Sequence, residues 1–125
     1  MIYLHIGYPR TATTSIQLGL KKNRTLLKEL NYLYPESGII WYGHHNVYYE
    51  LARYDKLRGK FLGKLFDPKA GTLNELLKEI RDFKTKTPKG HIIISSEAIF
   101  SLKYKLFKRL CDNLYEIDDI TPILR

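Results

Sequence analysis

Short runs of apolar, β-forming residues alternate with longer stretches of helical periodicity along this chain. The apolar runs span residues 2–6, 91–96 and 120–125, and their lengths are typical of strands. Pro122 lies within the third run, and proline is poorly tolerated in a central strand. Because strands separated by helices pair in parallel through right-handed crossovers, the pattern predicts an α/β domain built on a parallel sheet.

Helical periodicity falls in four stretches between these runs. The predicted helices cover about residues 14–32, 46–54, 73–83 and 106–114. Asn46 is a candidate N-cap for the second helix, whose continuation over residues 57–66 is interrupted by two glycines. Thr72 and Glu75 have the spacing of a capping box at the start of the third helix. The predicted order is therefore β-α-α-α-β-α-β.

The composition is that of a globular protein with a surplus of positive charge. Of the 125 residues, 44% are hydrophobic, and 21 Lys and Arg against 13 Asp and Glu give a net charge of +8. Cys111 is the single cysteine, which excludes an internal disulfide and a cysteine zinc site. The apolar runs are far shorter than the roughly 18 residues of a membrane span, so we expect a soluble cytoplasmic domain. The charge favours an anionic partner, which is a nucleotide, a nucleic acid, an acidic glycan or a lipid surface.

The segment from Gly7 to Ser15, directly after the first predicted strand, has the character of a phosphate-binding loop. Small and hydroxyl residues between a strand and a helix allow backbone N–H groups and the helix dipole to face an anion. A nucleotide triphosphatase would require lysine where this chain has Thr13, and the nearest cation is instead Arg10. This departure argues against ATP or GTP hydrolysis. The alternatives are a strand–helix turn without a ligand and another P-loop activity, such as that of a nucleotide kinase.

Residues 7–17, Gly-Tyr-Pro-Arg-Thr-Ala-Thr-Thr-Ser-Ile-Gln, resemble the 5′-phosphosulfate loop of sulfotransferases. The usual pattern in that family is Gly-x-Pro-Lys-Thr-Gly-Thr-Thr/Ser, so Arg10 replaces the usual lysine and Ala12 the second glycine. Residues 92–97 resemble a strand and turn of bacterial and carbohydrate sulfotransferases. Residues 120–125 resemble the strand whose final arginine holds the 3′-phosphate of the donor.

The resemblance implies a P-loop-type three-layer domain that uses 3′-phosphoadenosine-5′-phosphosulfate as its donor and needs no metal. Such an enzyme transfers a sulfuryl group to a hydroxyl of a carbohydrate or another small acceptor, and Arg10 would also stabilise charge on the leaving phosphate. The donor-binding residues implied by the resemblance are Gly7, Pro9, Arg10, Thr11, Ala12, Thr13, Thr14, Ser15 and Arg125. Residues 1–125 match only the N-terminal half of the family's domain, which predicts a single, truncated domain.

The acceptor hydroxyl must lose its proton during transfer, and three residues are candidates for the general base. His44 and His45 end a loop in a region comparable to the one where some glycan 2-O-sulfotransferases place a catalytic histidine, and His45 is preferred. Glu97 is the rival, because it follows a strand at the carboxyl edge where α/β proteins bind ligands. Each of the three has a structural alternative, as a helix cap or a packed side chain. His5 and His91 lie in predicted strands, and we expect them to be structural.

Several features leave the partner open. Aromatic residues are dense between residues 32 and 49, where they either stack on a sugar or adenine or pack beneath a loop. The basic clusters Arg53–Lys64 and Lys103–Arg109 either attract an acidic glycan or are solvated helix faces. Two competing functions are a truncated, catalytically inactive nucleotide-binding remnant and a nucleic-acid binder, although the chain has no recognisable nucleic-acid motif. An exposed last strand would favour pairing with a second copy of the chain.

Overall fold

The fold is an α/β arrangement around a four-stranded, all-parallel sheet, as the sequence predicts. The computed structural model describes residues 1–7 and 13–124. The strands are β1 (Ile2–His5), β2 (Tyr32–Leu33), β3 (His91–Ser95) and β4 (Ile120–Ile123), in the spatial order β2-β3-β1-β4. Ile2 of β1 lies opposite Ile92 on one side and Ile120 on the other.

Six α-helices occur in the part of the chain that the structure describes. They are α1 (Thr13–Lys22), α2 (Arg24–Glu29), α3 (His45–Ala52), α4 (Gly59–Leu62), α5 (Leu73–Lys86) and α6 (Tyr104–Tyr115). Short 3₁₀ turns cover Gly63–Leu65, Pro68–Ala70 and Glu97–Ser101. The capping box at the start of α5 is confirmed, since the Thr72 hydroxyl accepts from the Glu75 N–H and the Glu75 carboxylate accepts from the Thr72 N–H.

The predicted helix over residues 14–32 is confirmed over most of its length, but it is broken once and ends early. It divides into α1 and α2 at Asn23, and the chain then reverses at Asn31, whose φ of 66° ends the helical path. Asparagine tolerates this left-handed conformation better than most residues. The reversal places Tyr32 and Leu33 at the edge of the sheet, where they pair with β3 as β2. The sequence pattern did not predict this strand.

The predicted N-cap of α3 is also wrong. His44 occupies the N-cap position, and Asn46 lies one residue inside the helix with its side chain buried. The Asn46 amide donates to the backbone oxygens of Asp67 and Gly71 at 2.7 and 2.9 Å. Asn46 therefore holds a distant loop against α3, and a buried amide that finds such partners need not cap a helix.

The core lies on one face of the sheet. Alternate residues of β1 and β3, among them Leu4 and Ile94, are fully buried and pack with apolar residues of α3, α5 and α6. On the other face, α1 borders a groove that contains Tyr3 and Ile93. Helices on both faces of a parallel sheet are compatible with a three-layer α/β domain.

The four strands point in one direction, so the ends of β1 and β3 meet at a common edge. Gly7 follows β1 there, and Ser96 and Glu97 follow β3. Pro122 lies in β4, which is an outer strand of the described sheet, and an outer position is where proline is tolerated. No helix within the described residues is long and apolar enough to cross a membrane.

Candidate functional site

A cleft of about 310 Å³ opens at the carboxyl edge of the sheet. Its walls come from the start of α1, the turn before α3, α3 itself and the residues that follow β3. The lining residues are Thr14, Gln17, Trp41, Tyr42, His45, Tyr49, Glu97 and Ala98. Clefts at this edge are where α/β proteins bind their ligands, and this cleft brings together His45 and Glu97, two of the three candidates for the general base.

His45 is held in the cleft by a buried serine. Its Nδ1 lies 2.7 Å from the Ser96 hydroxyl oxygen, and Ser96 is fully buried. Burial lowers the pKa of His45 below its ordinary value, while the nearby charge of Glu97 opposes part of that shift. The imidazole is therefore neutral at pH 7, which is the form that a general base requires.

Glu97 is positioned by Gln17, a residue on α1 whose side chain is buried. The Gln17 amide donates to Glu97 Oε2 at 3.0 Å and to the hydroxyl oxygen of Ser95 at 3.1 Å. Ser95 Oγ also lies 2.7 Å from Nδ1 of His5. Gly43 packs directly against the Gln17 side chain, and a Cβ at that position would lie only 2.7 Å from the Gln17 amide. The network fixes Glu97 beside His45.

His44 has a different environment from its neighbour. It is fully buried, its Nδ1 accepts from the Ser95 backbone N–H at 3.0 Å, and its Nε2 donates to the Pro35 carbonyl at 2.9 Å. Burial lowers the pKa of His44 to about 4. Because both ring nitrogens are engaged and neither faces the cleft, this geometry favours the structural alternative for His44.

The predicted phosphate loop is described only at its two ends. Gly7 is buried at the end of β1, and α1 begins at Thr13, followed by the exposed residues Thr14 and Ser15. The first turn of α1 has no acidic residue, so no carboxylate there opposes an anion at the helix N-terminus. The predictions for Pro9, Arg10, Thr11, Ala12 and Arg125 lie outside the described residues.

The aromatic residues of the second quarter divide between the core and the cleft. Tyr34 and Tyr48 are buried, whereas Trp41 and Tyr42 form an exposed rim. Trp41 has a φ of 60°, and its carbonyl accepts from Lys21 Nζ at 3.0 Å. The rim thus presents an aromatic surface and a lysine next to the cleft.

Sequence reasoning did not assign a role to Gln17, Ser95 or Ser96. A signal was available for the two serines, because a hydroxyl pair at the end of an apolar strand falls at the ligand-binding edge. Gln17 lies one helical turn after Thr13. Its side chain points inward because of the way α1 packs on the sheet, which the sequence pattern does not reveal. His91 lies at the opposite end of β3, between the rings of Tyr3 and Tyr32 at 5.7 and 5.0 Å.

The site offers a neutral imidazole, an oriented carboxylate and an aromatic rim beside the start of α1. This combination suits proton removal from a hydroxyl group held in the cleft. Among the described residues, no group of three or more His, Cys, Asp or Glu side chains could hold a metal ion. No model of a known protein family, no curated protein and no solved structure matches this chain.

Proposed function

We propose that this protein is a sulfotransferase that moves a sulfuryl group from 3′-phosphoadenosine-5′-phosphosulfate to a hydroxyl of an acceptor bound in the cleft. The proposal is supported by one observation above all: His45 and Glu97 line the same cleft as Thr14, a residue of the proposed donor loop. A base candidate is thus adjacent to the place where the donor's sulfate would lie. The resemblance of residues 7–17 to the family's phosphosulfate loop supplies the identity of the donor.

In this proposal the donor loop binds the 5′-phosphosulfate. Backbone N–H groups at the start of α1 donate to the phosphate and sulfate oxygens, and the helix dipole adds a favourable potential. The Arg10 guanidinium carries the positive charge that the family's lysine supplies, and it stabilises the leaving phosphate. Arg125 binds the 3′-phosphate of the donor.

The chemical step is an in-line displacement at sulfur. The acceptor oxygen forms a bond to sulfur as the bond between sulfur and the 5′-phosphate oxygen breaks, which releases adenosine 3′,5′-bisphosphate. The acceptor's hydroxyl proton passes to Nε2 of His45. In the tautomer with its proton on Nδ1, His45 donates to Ser96 Oγ and leaves Nε2 free to accept. Glu97 stabilises the imidazolium that forms.

A transfer assay tests this function. The protein is incubated with 3′-phosphoadenosine-5′-phosphosulfate and a panel of monosaccharides, oligosaccharides and phenols, and adenosine 3′,5′-bisphosphate is quantified. We expect acceptor-dependent product, and His45→Asn should lower the rate by roughly 100-fold or more. His91→Asn, the same change at the far end of β3, should keep the rate within about twofold of wild type, since general-base catalysis does not involve it.

The pH profile separates the two base candidates. Burial lowers the pKa of His45, so the rate should decline only below pH 6.5, the ordinary value for histidine. Glu97→Gln removes a charge that raises the pKa of His45, so the acid limb should move to lower pH while activity persists. A Glu97→Gln variant without activity, together with an active His45→Asn variant, would assign the base to Glu97. Donor binding without transfer to any acceptor would favour the binding-only alternative.

A further inference from the structure

An exposed apolar stripe follows α3, and the proposed function makes no use of it. Leu57, Phe61 and Leu65 are 85%, 76% and 51% exposed. They recur every four residues through a turn, α4 and a 3₁₀ turn. Single exposed apolar residues are ordinary, but a contiguous set marks a contact surface. We call Leu57, Phe61 and Leu65 the apolar stripe.

Two glycines fix the direction in which the apolar stripe faces. Gly59 and Gly63 pack against the end of α3, where an added Cβ would lie 2.6 Å from the Arg53 carbonyl oxygen and 2.7 Å from Arg53 Cγ. Leu62 on the same side packs against the core. Because the glycines are offset by two residues from the stripe, close packing on their side turns the stripe outward. The exposure is therefore built into the fold.

Positive charges flank the stripe without local compensation. Residues 56–66 contain Lys56, Arg58, Lys60 and Lys64 and no acidic residue. None of these four takes part in an ion pair within the described residues. The preceding Asp55 is turned inward, where it accepts from the Leu57 and Arg58 N–H groups and pairs with Lys103 at 3.3 Å.

The start of α6 extends this surface. The ion pair between Lys103 and Asp55 places α6 beside the segment, and Arg109 lies over the ring of Tyr54 with its guanidinium 4.8 Å from the centroid. Tyr104 and Lys105 in the first turn of α6 are exposed. The two basic clusters singled out in the sequence therefore lie next to each other in the fold.

We propose that residues 56–66, with the start of α6, bind an anionic lipid bilayer surface. Interfacial segments combine Lys and Arg on one side with Leu and Phe on the other, and they insert only their apolar side chains at the headgroup boundary. The negative headgroups match the uncompensated cations. Side chains that protrude this far fit a deformable bilayer better than a protein partner, whose pockets must match each anchor.

Vesicle cosedimentation of the whole chain tests the proposal. We expect binding to vesicles of phosphatidylcholine with phosphatidylserine, little binding to pure phosphatidylcholine, and release by salt. Leu57→Ser, Phe61→Ser and Leu65→Ser together should reduce binding at least about tenfold, since burial of these side chains is lost. Substitution of glutamine for Lys56, Arg58, Lys60 and Lys64 should reduce vesicle binding by roughly fivefold per residue, because each cation is attracted to the anionic headgroups.

Matched variants elsewhere control for loss of charge and apolar area. Leu26→Ser with Leu30→Ser changes exposed leucines at α2, and glutamine at Lys22, Lys28, Lys86 and Lys89 removes four exposed cations. Both controls should bind vesicles as wild type does, and circular dichroism checks that every variant folds. Trp41 is the single tryptophan, so Trp41→Phe with Phe61→Trp creates a reporter whose emission should shift to the blue on vesicles.

Four results would overturn the proposal. The first is absence of binding to phosphatidylserine vesicles, and the second is equal binding by the stripe variant and wild type. The third is a dimer seen by light scattering that persists in the presence of vesicles but is lost in the triple serine variant. That result would make the stripe an interface between two copies of the chain. The fourth is binding of a heparin oligosaccharide, lost in the glutamine variant, without vesicle binding.

Discussion

Two neighbouring histidines differ in what their nitrogens can reach. His44 is enclosed, and the Ser95 N–H and the Pro35 carbonyl saturate its ring. His45 enters the first turn of α3 and keeps its ring at the cleft, where Ser96 contacts one nitrogen. His44 therefore stabilises the fold, whereas His45 keeps a ring nitrogen available for the proposed proton transfer.

The buried His44 predicts a specific loss of stability in acid. Its pKa is about 4 in the fold against 6.5 in a model peptide, so below pH 6.5 the unfolded chain binds more protons than the folded one. The free energy of unfolding should then decrease by about 3 kcal/mol from this residue as the pH falls from 6.5 to 4, and its contribution should level off below that.

Urea unfolding of wild type and His44→Gln across this pH interval measures the effect. The variant loses some stability at neutral pH, but its further loss between pH 6.5 and 4 should be smaller than that of wild type by about 3 kcal/mol. Equal losses in the two proteins would show that His44 is not held neutral by burial.

At the element scale, local signals decide how well the sequence predicts the fold. The capping box and the long helical periodicity predict α5, and both ends of that helix have residues typical of helix termini. In contrast, β2 consists of only two residues, and two further residues separate it from the end of α2. A strand of two residues is too short to show an alternation of apolar and polar positions. It forms because the edge of β3 is available for pairing. No pattern within residues 14–33 could have revealed it.

Thr72→Ala tests the contribution of the capping box. Removal of the hydroxyl leaves the Glu75 N–H without its acceptor, so we expect the free energy of unfolding to decrease by about 1 kcal/mol. Thr85→Ala on the same helix is the matched control, because the Thr85 hydroxyl bonds only to the preceding turn at Arg81. That variant should change stability by less than about 0.5 kcal/mol in chemical denaturation. Equal effects at the two positions would contradict a capping role.

The site could be predicted from the sequence only in outline. The pattern of strands, loops and helices predicted that Gly7 and Glu97 lie at one edge of a parallel sheet. The cleft at that edge contains His45 and Glu97. The hydrogen bonds that orient them depend on Gln17 and Ser96, whose partners are 80 and 51 residues away in the chain. Spacing along a sequence does not encode contacts of that range.

At the scale of the whole molecule, the two ends of the sheet differ: ion pairs lie at its amino end, and the candidate site lies at its carboxyl end. At the amino end, the Asp118 carboxylate pairs with Lys84 and with the N-terminal ammonium, and these cations hold the pKa of Asp118 well below its usual range. At the carboxyl end lie the cleft and the start of α1. The basic apolar surface of residues 56–66 follows α3, the helix that begins at the cleft. The proposed donor chemistry and the proposed surface binding therefore belong to different parts of one fold.

Calorimetric titration with adenosine 3′,5′-bisphosphate measures whether the protein holds the proposed donor's nucleotide. We expect saturable binding that exceeds the binding of ATP with magnesium. Arg10→Ala should weaken this binding by at least about tenfold, as expected for a lost charge-assisted contact. Arg10→Lys, which introduces the lysine usual in sulfotransferases and keeps the positive charge, should retain it. Arg81→Ala, a matched change on the exposed face of α5, should have no effect.

Three results would contradict the account. Preference for ATP with magnesium would identify a different P-loop activity. Equal affinity of wild type and Arg10→Ala would remove the proposed donor loop from the site. Absence of any binding to a folded wild-type protein would mean that this chain, as it stands, does not hold the donor of a sulfotransferase.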